Sequence, residues 1–352
     1  MRNEEFQNLI GDPIEYSYNN EYGSLPEKTF YDKLGNKIKE VVFLAGFQKT
    51  ATSTISSILY SHPKICFPIK KEPFFFSTDE YNFGMGFYWK KYFEPVYDNE
   101  PVIVDANTVN VSIPYAIGRI AEKVPEAKLI VSLRNPVDRA YSHWWMYKAS
   151  GEDSLSFEDA VNWEMEELRE GLIPYGSEND DYWKWNMRRN VTGNKLIMDR
   201  TPRTYLTTGN YAVHIKRLAK YFNKKNVLFV FQENLRRNKH REVKRILDFL
   251  GLSIDEIPPE AGSKDYHSSR NSLLLTKFAG KMKHYQDLIP YSVLDAGNKL
   301  TRKLDKKLFS KTRMKKRTRE RLIDFYQPKN GELEILLNKE FGMKVDLSGW
   351  DK

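Results

Sequence analysis

Short apolar runs recur along the chain and alternate with stretches of helical character. The runs are rich in β-branched or aromatic residues and occupy residues 41–45, 65–67, 101–105, 127–133 and 226–231. Uninterrupted apolar runs of this length are typical of strands buried on both faces of a parallel sheet. The stretches with helical character are residues 113–121, 157–170, 211–222 and 241–250. This alternation predicts an α/β fold whose central parallel sheet is flanked by helices on both faces.

The pattern also divides the chain into regions of different character. Residues 1–38 show little periodicity and are interpreted as an N-terminal extension, whereas residues 39–352 are predicted to form a single domain. Inside that domain, residues 145–207 interrupt the alternation with an acidic helix and an aromatic, basic stretch at residues 182–189. We interpret the interruption as an insertion. Its aromatic stretch would either stack flat rings of a ligand or form a hydrophobic seam.

Composition narrows the class of protein without identifying a ligand. The net charge of +9 favours anionic partners, which include nucleic acid, anionic lipid, acidic glycans and nucleotides. Residues 264–321 are strongly basic and form either a solvated face or a groove for a polyanion. A single cysteine, Cys66, excludes an intramolecular disulfide and a cysteine-based zinc site. The polar start and the lack of a long apolar stretch predict a cytoplasmic protein without a transmembrane segment.

The first apolar run leads into a hydroxyl-rich turn at residues 46–54 that contains one lysine, Lys49. Gly46 permits a tight turn, and apolar residues at helical spacing follow, so the turn is predicted to open a helix. The unpaired N–H groups and positive dipole end of such a helix favour an anion. The alternative is an ordinary strand–helix connection. The triphosphate pattern G-x-x-x-x-G-K-[ST] is not met, because this loop has one glycine.

A second polar segment follows the run at residues 127–133. Arg134 ends the strand, Asn135 is predicted to cap the next helix, Pro136 suits its first position, and Asp138 is predicted to close the cap. Arg134 is therefore expected at the carboxyl edge of the sheet, where open α/β folds bind ligands. There it would bind a phosphate together with Ser142. The alternative is that Arg134 pairs with Asp138 and Ser142 packs.

A third segment, residues 70–76, places a glutamate beside aromatic residues. Pro73 predicts an extended backbone at Glu72, and three phenylalanines follow as an apolar wall. A carboxylate beside such a wall is a usable base near neutral pH, although a surface glutamate is the alternative. His143, next to Ser142, is interpreted as a packing residue rather than a catalyst, because adjacent helical residues point in different directions.

In this order, the three segments resemble those of the sulfotransferase family that uses 3′-phosphoadenosine 5′-phosphosulfate. Residues 46–54 resemble the family's 5′-phosphosulfate loop and residues 134–142 its 3′-phosphate motif. Residues 70–76 are similar to the segment that holds a catalytic glutamate in the Golgi heparan sulfate branch. Further similarity lies at residues 209–222, 231–235 and 325–337. The resemblance spans about residues 41–350 and implies the P-loop NTPase-like fold of these enzymes.

The resemblance implies a role for each matching residue. Lys49 would bind the phosphosulfate bridge and stabilise charge on the leaving phosphate, and Glu72 would take the proton from the acceptor hydroxyl. Arg134 and Ser142 would hold the 3′-phosphate, and Arg270 would add a phosphate contact from a loop that closes over the nucleotide. The loop residues that would contribute amides or hydroxyls are Thr50, Ala51, Thr52 and Ser53. No metal is implied.

The implied reaction is in-line transfer of a sulfuryl group to a hydroxyl, with adenosine 3′,5′-bisphosphate as the second product. The acceptor would be a carbohydrate, bound on the side of the insertion; a small natural product or a lipid headgroup is the alternative. Two other functions stay open, a nucleoside-triphosphate kinase and a non-catalytic polyanion-binding protein. Heparan-type members carry a lysine after a glutamate where this chain has Ala106 after Asp105. Asp105 or Asn107 would then share in acceptor positioning.

Overall fold

A computed structural model describes residues 38–70, 72–150, 152–171, 188–190, 195–197, 203–257 and 313–351. Nearly all of the predicted N-terminal extension therefore lies outside the described residues. So do Arg270, the basic region up to residue 312, and residues 182–187 of the aromatic stretch. Among the described residues, no helix is long and apolar enough to cross a membrane.

A parallel five-stranded sheet forms the centre of the described structure. Its strands are β1 (Glu40–Leu44), β2 (Ile65–Cys66), β3 (Val102–Asp105), β4 (Lys128–Leu133) and β7 (Val227–Phe231), in the order β2-β3-β1-β4-β7. A separate antiparallel pair consists of β5 (Arg188–Asn190) and β6 (Lys195–Ile197). The predicted α/β fold with a central parallel sheet is thus confirmed. Every apolar run that was predicted as a strand contributes one strand to this sheet.

The helices follow the strands in the order that the alternation predicts. They are α1 (Thr52–Tyr60), α2 (Gly84–Tyr92), α3 (Ala116–Lys123), α4 (Pro136–Ser150), α5 (Phe157–Arg169), α6 (Tyr211–Leu218), α7 (Gln232–Arg237), α8 (Lys239–Leu250) and α9 (Lys316–Phe341). Three of them, α2, α7 and α9, have no counterpart among the predicted helices. The helix predicted at residues 113–121 is shifted, since α3 begins at Ala116 and ends at Lys123, and the helix predicted at residues 211–222 is shorter than expected, since α6 ends at Leu218.

Alternate residues of the sheet pack into two apolar clusters, one on each face. Phe43 of β1 and Ile103 of β3 lie in the cluster covered by α2, α3, α6 and α9. Val42 and Val104 lie in the cluster covered by α1 and α8. Because both faces are covered, the strands have no polar alternation, as is usual for buried parallel strands. A third cluster joins α4, α5 and the start of α9 beside the sheet.

Candidate active site

The turn after β1 lies at the carboxyl edge of the sheet, directly against β4. Pairing with β4 continues to Ala45, whose N–H donates to Ile130 O at 3.0 Å. At the next residue, a Cβ added to Gly46 would lie 2.1 Å from Ser132 Oγ and 2.8 Å from Ser132 N. Glycine is therefore required here by the close approach of β4, and Gly46 is not among the residues with positive φ.

Two residues of this turn adopt the left-handed conformation that favours glycine. Lys49 has φ 71° and Ala51 has φ 75°. Ala51 is the N-cap of α1, and no side chain caps that helix end. Strained residues of this kind cost roughly 1–3 kcal/mol each and cluster at functional sites. The first turn of α1 also contains no acidic residue. Its N-terminus therefore offers backbone N–H groups and a positive dipole end to an anion.

The hydroxyl of Thr50 lies inside the protein, where it holds the loop in place. Thr50 is fully buried, and its Oγ1 donates to Phe47 O at 2.5 Å. Ser132 Oγ lies 2.6 Å from the same oxygen. Because a hydroxyl has a single proton, Ser132 is the donor in this second bond. What Thr50 can offer to a ligand is its backbone amide. The side chain of Ser53 is exposed at the start of α1, and that of Thr52 is buried.

Arg134 connects the end of β4 to the same loop. Its Nη1 donates to Lys49 O at 3.1 Å, and its own carbonyl accepts from Tyr211 Oη at 2.8 Å. Burial lowers the pKa of the Arg134 guanidinium below its usual range. The alternative pairing of Arg134 with Asp138 is not observed, because Asp138 binds Arg319 at 2.8 Å. The structure thus brings Lys49 and Arg134, 85 residues apart in the chain, into one site.

The helix after Arg134 begins largely as predicted. Asn135 Oδ1 accepts from the N–H of Val137 at 2.9 Å, so Asn135 caps α4, and Pro136 is its first residue. The prediction that Asp138 closes the cap is wrong. The N–H of Asn135 donates instead to Glu233 Oε1 at 2.9 Å, a contact from α7 that no local pattern reveals. Ser142 lies two turns into α4 and is half-buried.

Glu72 lies beside the segment that follows β3, in a conformation that differs from the prediction. Its φ is 58°, so the predicted extended backbone is wrong, and Phe74 is left-handed as well at φ 59°. Long-range contacts override the local effect of proline here, since Thr108 Oγ1 donates to Glu72 Oε1 at 3.0 Å. Tyr92 Oη also donates to Pro73 O at 2.9 Å. The aromatic wall is present, with Phe75 and Phe76 fully buried in the core.

A second carboxyl group, Asp105, lies near Glu72 at the end of β3. It is 1% exposed, and Tyr88 Oη donates to its Oδ2 at 2.7 Å. Burial raises the pKa of Asp105 to about 7; the hydrogen bond from Tyr88 opposes this rise, and the charge of Glu72 adds to it. Within the described part of the chain, Asp105 Oδ1 has no hydrogen-bond partner. Its sequence signal is a charged residue that ends a short apolar strand.

His143 faces the loop from α4 but is sealed inside the protein. It is 1% exposed and packs between the rings of Tyr147 and Tyr205, each with its centroid 5.1 Å away. Arg139 Nη1 lies 3.3 Å from its Nδ1. Burial, helped by the charges of Arg139 and Lys49, holds the pKa of His143 well below its usual range. A neutral, enclosed imidazole agrees with its interpretation as a packing residue.

These contacts define a site with a cationic half and an acidic half. Lys49 and Arg134 lie with the bare end of α1 on one side. Glu72 and Asp105 lie on the other. Both halves lie near Tyr147, because its side chain hydrogen-bonds to Gln48 and the charge of Glu72 helps to raise the pKa of its hydroxyl. The arrangement can bind an anion next to a group that accepts a proton. Arg270 lies outside the described residues, so its predicted contact stays a prediction.

Comparison with known proteins finds relatives whose names describe sulfotransferases. The bifunctional heparan sulfate N-deacetylase/N-sulfotransferase 3 of Mus musculus is 29% identical over 247 residues, which are 68% of this chain and 26% of that protein. The heparan sulfate glucosamine 3-O-sulfotransferase 3B1 of Mus musculus is 25% identical over 227 residues, or 64% of this chain and 50% of that protein. The chain thus spans between about a quarter and a half of the length of these curated relatives.

A solved structure shares the fold. The crystal structure of a sulfotransferase from Alicyclobacillus acidocaldarius matches with a TM-score of 0.58 and 21% identity, over 88% of this chain and 98% of that chain. The family model described as "Sulfotransferase domain" matches residues 39–333. This range contains the loop after β1, Glu72, Asp105 and Arg134. The predicted family is therefore confirmed, and the chain belongs to the sulfotransferase domain family.

Proposed function

We propose that the protein transfers the sulfuryl group of 3′-phosphoadenosine 5′-phosphosulfate to a hydroxyl of a carbohydrate acceptor. The observation that carries the proposal is the hydrogen bond from Arg134 Nη1 to Lys49 O, because it joins the two donor-binding segments. A carbohydrate acceptor is supported by the relatives, whose names describe heparan sulfate and glucosamine sulfotransferases.

The donor half of the site fits a phosphosulfate. The left-handed residues Lys49 and Ala51 turn the backbone toward the uncapped end of α1, where N–H groups bind anionic oxygens. Lys49 adds a point charge for the bridging and leaving oxygens. Arg134, through its planar guanidinium, suits a phosphate that accepts two hydrogen bonds. The 3′-phosphate, bound by Arg134 and Ser142, distinguishes this donor from plain adenylyl sulfate.

In this mechanism the residues of the chain position the reactants and compensate charge. Glu72 accepts the proton of the acceptor hydroxyl as its oxygen forms the bond to sulfur, and Thr108 fixes the carboxylate through its hydroxyl. On the opposite side of the sulfur atom, the bond from sulfur to the bridging phosphate oxygen breaks. Lys49 stabilises the negative charge that develops on that phosphate. Fixed donors supply this stabilisation without reorganisation during the reaction.

Nucleotide binding tests the donor assignment. We expect adenosine 3′,5′-bisphosphate to raise the Tm more than adenosine 5′-monophosphate does, and Arg134→Ala to abolish the difference. Arg134→Lys, which keeps the charge but loses the planar fork, should retain part of it. Equal shifts of the unsubstituted protein by both nucleotides would contradict the assignment of Arg134 and Ser142 to the 3′-phosphate.

Transfer of label from the donor to a panel of glycans tests the reaction itself. Lys49→Ala should abolish transfer, whereas Lys244→Ala, an exposed lysine of α8 that pairs with Asp248, should leave it unchanged. Small hydroxylated compounds and lipid headgroups belong in the same panel as alternative acceptors. Phosphate transfer from a magnesium nucleoside triphosphate would support a kinase instead. Salt-sensitive polyanion binding that survives Lys49→Ala, without transfer, would support a non-catalytic binding protein.

A further inference from the structure

A short turn after α9, Ser348–Asp351, lies outside the range of the family match. Its Trp350 is 5% exposed and belongs to the core cluster that α9 covers, as does Leu347 just before the turn. The turn is also fastened to α9, because Asn330 Nδ2 donates to Asp351 Oδ1 at 3.0 Å. Burial and this hydrogen bond give the turn a fixed position in the domain.

Next to this turn lies the peptide group between Arg134 and Asn135, which is bound on both of its sides. The carbonyl of Arg134 accepts from Tyr211 Oη at 2.8 Å. The N–H of Asn135 donates to Glu233 Oε1 at 2.9 Å. Both polar groups of this peptide are therefore paired, one with α6 and the other with α7. Since the Arg134 side chain starts at this peptide, the two bonds set where its guanidinium can reach.

Trp350 packs against the supports of this peptide group on both sides. Its ring centroid lies 6.0 Å from that of Tyr211 and 5.9 Å from that of Phe231. Phe231 ends β7 and directly precedes α7, the helix that carries Glu233. The carbonyl of Trp350 also accepts from Asn135 Nδ2 at 3.1 Å. The turn is therefore in contact with Asn135 itself and with the residues that fix its surroundings.

These contacts bear on ligand binding because Arg134 is the residue assigned to the 3′-phosphate. A guanidinium that forms two parallel hydrogen bonds to a phosphate depends on its orientation. A misplacement of about 1 Å in such a binding group can cost about a hundredfold. Loss of the Trp350 ring would leave a cavity beside Tyr211 and Phe231, and the neighbouring groups relax into such a cavity in part. Arg134 would then lose its fixed orientation.

We propose that Trp350 is a positioning residue for the sulfuryl donor, because it holds Tyr211 and Asn135 in place and thereby orients Arg134 for the 3′-phosphate. The inference rests on the proposed function, in which Arg134 binds that phosphate. It adds to the donor site a turn that lies outside the family match. Trp350 acts through Arg134 and takes no part in the transfer of the sulfuryl group.

Nucleotide discrimination tests the inference. It is measured by calorimetry as the ratio of the Kd for adenosine 5′-monophosphate to the Kd for adenosine 3′,5′-bisphosphate. Trp350→Leu should lower this ratio by on the order of tenfold, chiefly by weakening the binding of the bisphosphate. Trp350→Phe keeps an aromatic ring against Tyr211 and Phe231, so it should retain most of the ratio.

Phe341→Leu is the matched control for Trp350→Leu. Phe341 is 7% exposed, belongs to the same core cluster, and packs on Phe229 of β7 with ring centroids 5.0 Å apart. Its replacement also removes a buried aromatic ring, so it should lower the Tm and leave the ratio unchanged. A purely structural role of Trp350 would lower the Tm in both variants and change neither ratio. That result would overturn the inference.

A second variant keeps the test decisive if Trp350→Leu does not fold. Asp351→Ala releases the turn from Asn330 without removing a core side chain. Asp248→Ala removes the same charge from the exposed pair with Lys244 on α8 and is its control. A ratio lowered by about threefold or more in Asp351→Ala alone supports the inference. A ratio that is unchanged, or lowered equally in the control, overturns it.

Failure of the inference is distinguishable from failure of the proposed function. If the unsubstituted protein binds both nucleotides equally, the assignment of Arg134 is wrong and the inference falls with it. If the unsubstituted protein discriminates and Trp350→Leu does so equally well, only the inference is overturned. Discrimination without sulfuryl transfer to any acceptor would contradict the proposed reaction. A lowered ratio in Trp350→Leu would in that case still support the role of Trp350 in nucleotide binding.

Discussion

Replacing Gly46 with alanine adds one methyl group at the point where the loop after β1 passes closest to β4. The new Cβ would lie 2.1 Å from Ser132 Oγ, 2.8 Å from Ser132 N and 3.1 Å from Ser132 Cβ. The hydroxyl can rotate away from the methyl group. The backbone nitrogen cannot, because Ser132 lies within β4 and is held in register with Val230 of the neighbouring β7.

The contacts give the size of the effect. Reaching an ordinary separation of 3.4 Å from the nitrogen requires a movement of about 0.6 Å between packed strands. Overpacking of this kind costs roughly 1–3 kcal/mol. Rotating Ser132 Oγ away also breaks its bond to Thr50, which contributes about 0.5–1.5 kcal/mol. Gly46→Ala should therefore lower the free energy of unfolding by roughly 2–4 kcal/mol and, for a chain of this length, the Tm by about 3–6 °C.

Urea unfolding followed by tryptophan fluorescence measures this change, and Gly331→Ala is the matched control. Gly331 lies inside α9, and a Cβ added there would meet no atom within 4 Å. The same chemical change should stabilise the protein by about 0.5–1 kcal/mol, because alanine is the better helix former. If Gly46→Ala unfolds within about 0.5 kcal/mol of the unsubstituted protein, the two strands do not restrict this position and the reasoning fails.

Three further changes test other parts of the structure by urea unfolding. Thr50→Val should lower the free energy of unfolding by about 1–3 kcal/mol, because it removes the acceptor of the buried Ser132 hydroxyl. Thr50→Ser should retain most of the stability, and equal losses in the two variants would contradict this role of the hydroxyl. Asn135→Ala should cost about 1 kcal/mol by removing the cap of α4, and Asn135→Ser should recover part of that loss. Burial raises the pKa of Glu164 to about 7, so stability should fall as pH rises from about 5 to about 8. The stability of Glu164→Gln should fall less steeply over the same pH range. An unchanged slope would exclude Glu164 as the source of this pH dependence.

The sheet was predictable because its signal is local. Each strand is a run of apolar residues, and both faces of the sheet require such residues, so burial leaves a direct trace in the sequence. The helix α9 was not predicted, since it contains Pro328, which normally ends a helix. Tertiary packing outweighs that effect, because Leu333 and Leu337 anchor its second half in the core.

Much of the site depends on contacts between residues far apart in the chain. A hydroxyl-rich loop with one lysine predicts an anion site, but not that Thr50 binds Ser132, 82 residues later. The left-handed backbone of Glu72 is likewise fixed from a distance, by Thr108. Asp105 was noticed only because Ala106 departs from the family pattern. Its enclosure and its bond to Tyr88 exist only once β3 packs against α2.

The loop after β1 uses its polar side chains to fix its own shape, and this bears on how the site would act. Left-handed Lys49 and Ala51 together cost roughly 2–6 kcal/mol, so the loop needs compensation even before a ligand binds. Thr50 supplies two buried hydrogen bonds, and Arg134 supplies a third to the carbonyl of Lys49. At about 0.5–3 kcal/mol each, these bonds offset the strain within the protein. The backbone N–H groups at the start of α1 are therefore oriented in advance, which is the condition for stabilising developing charge without reorganisation.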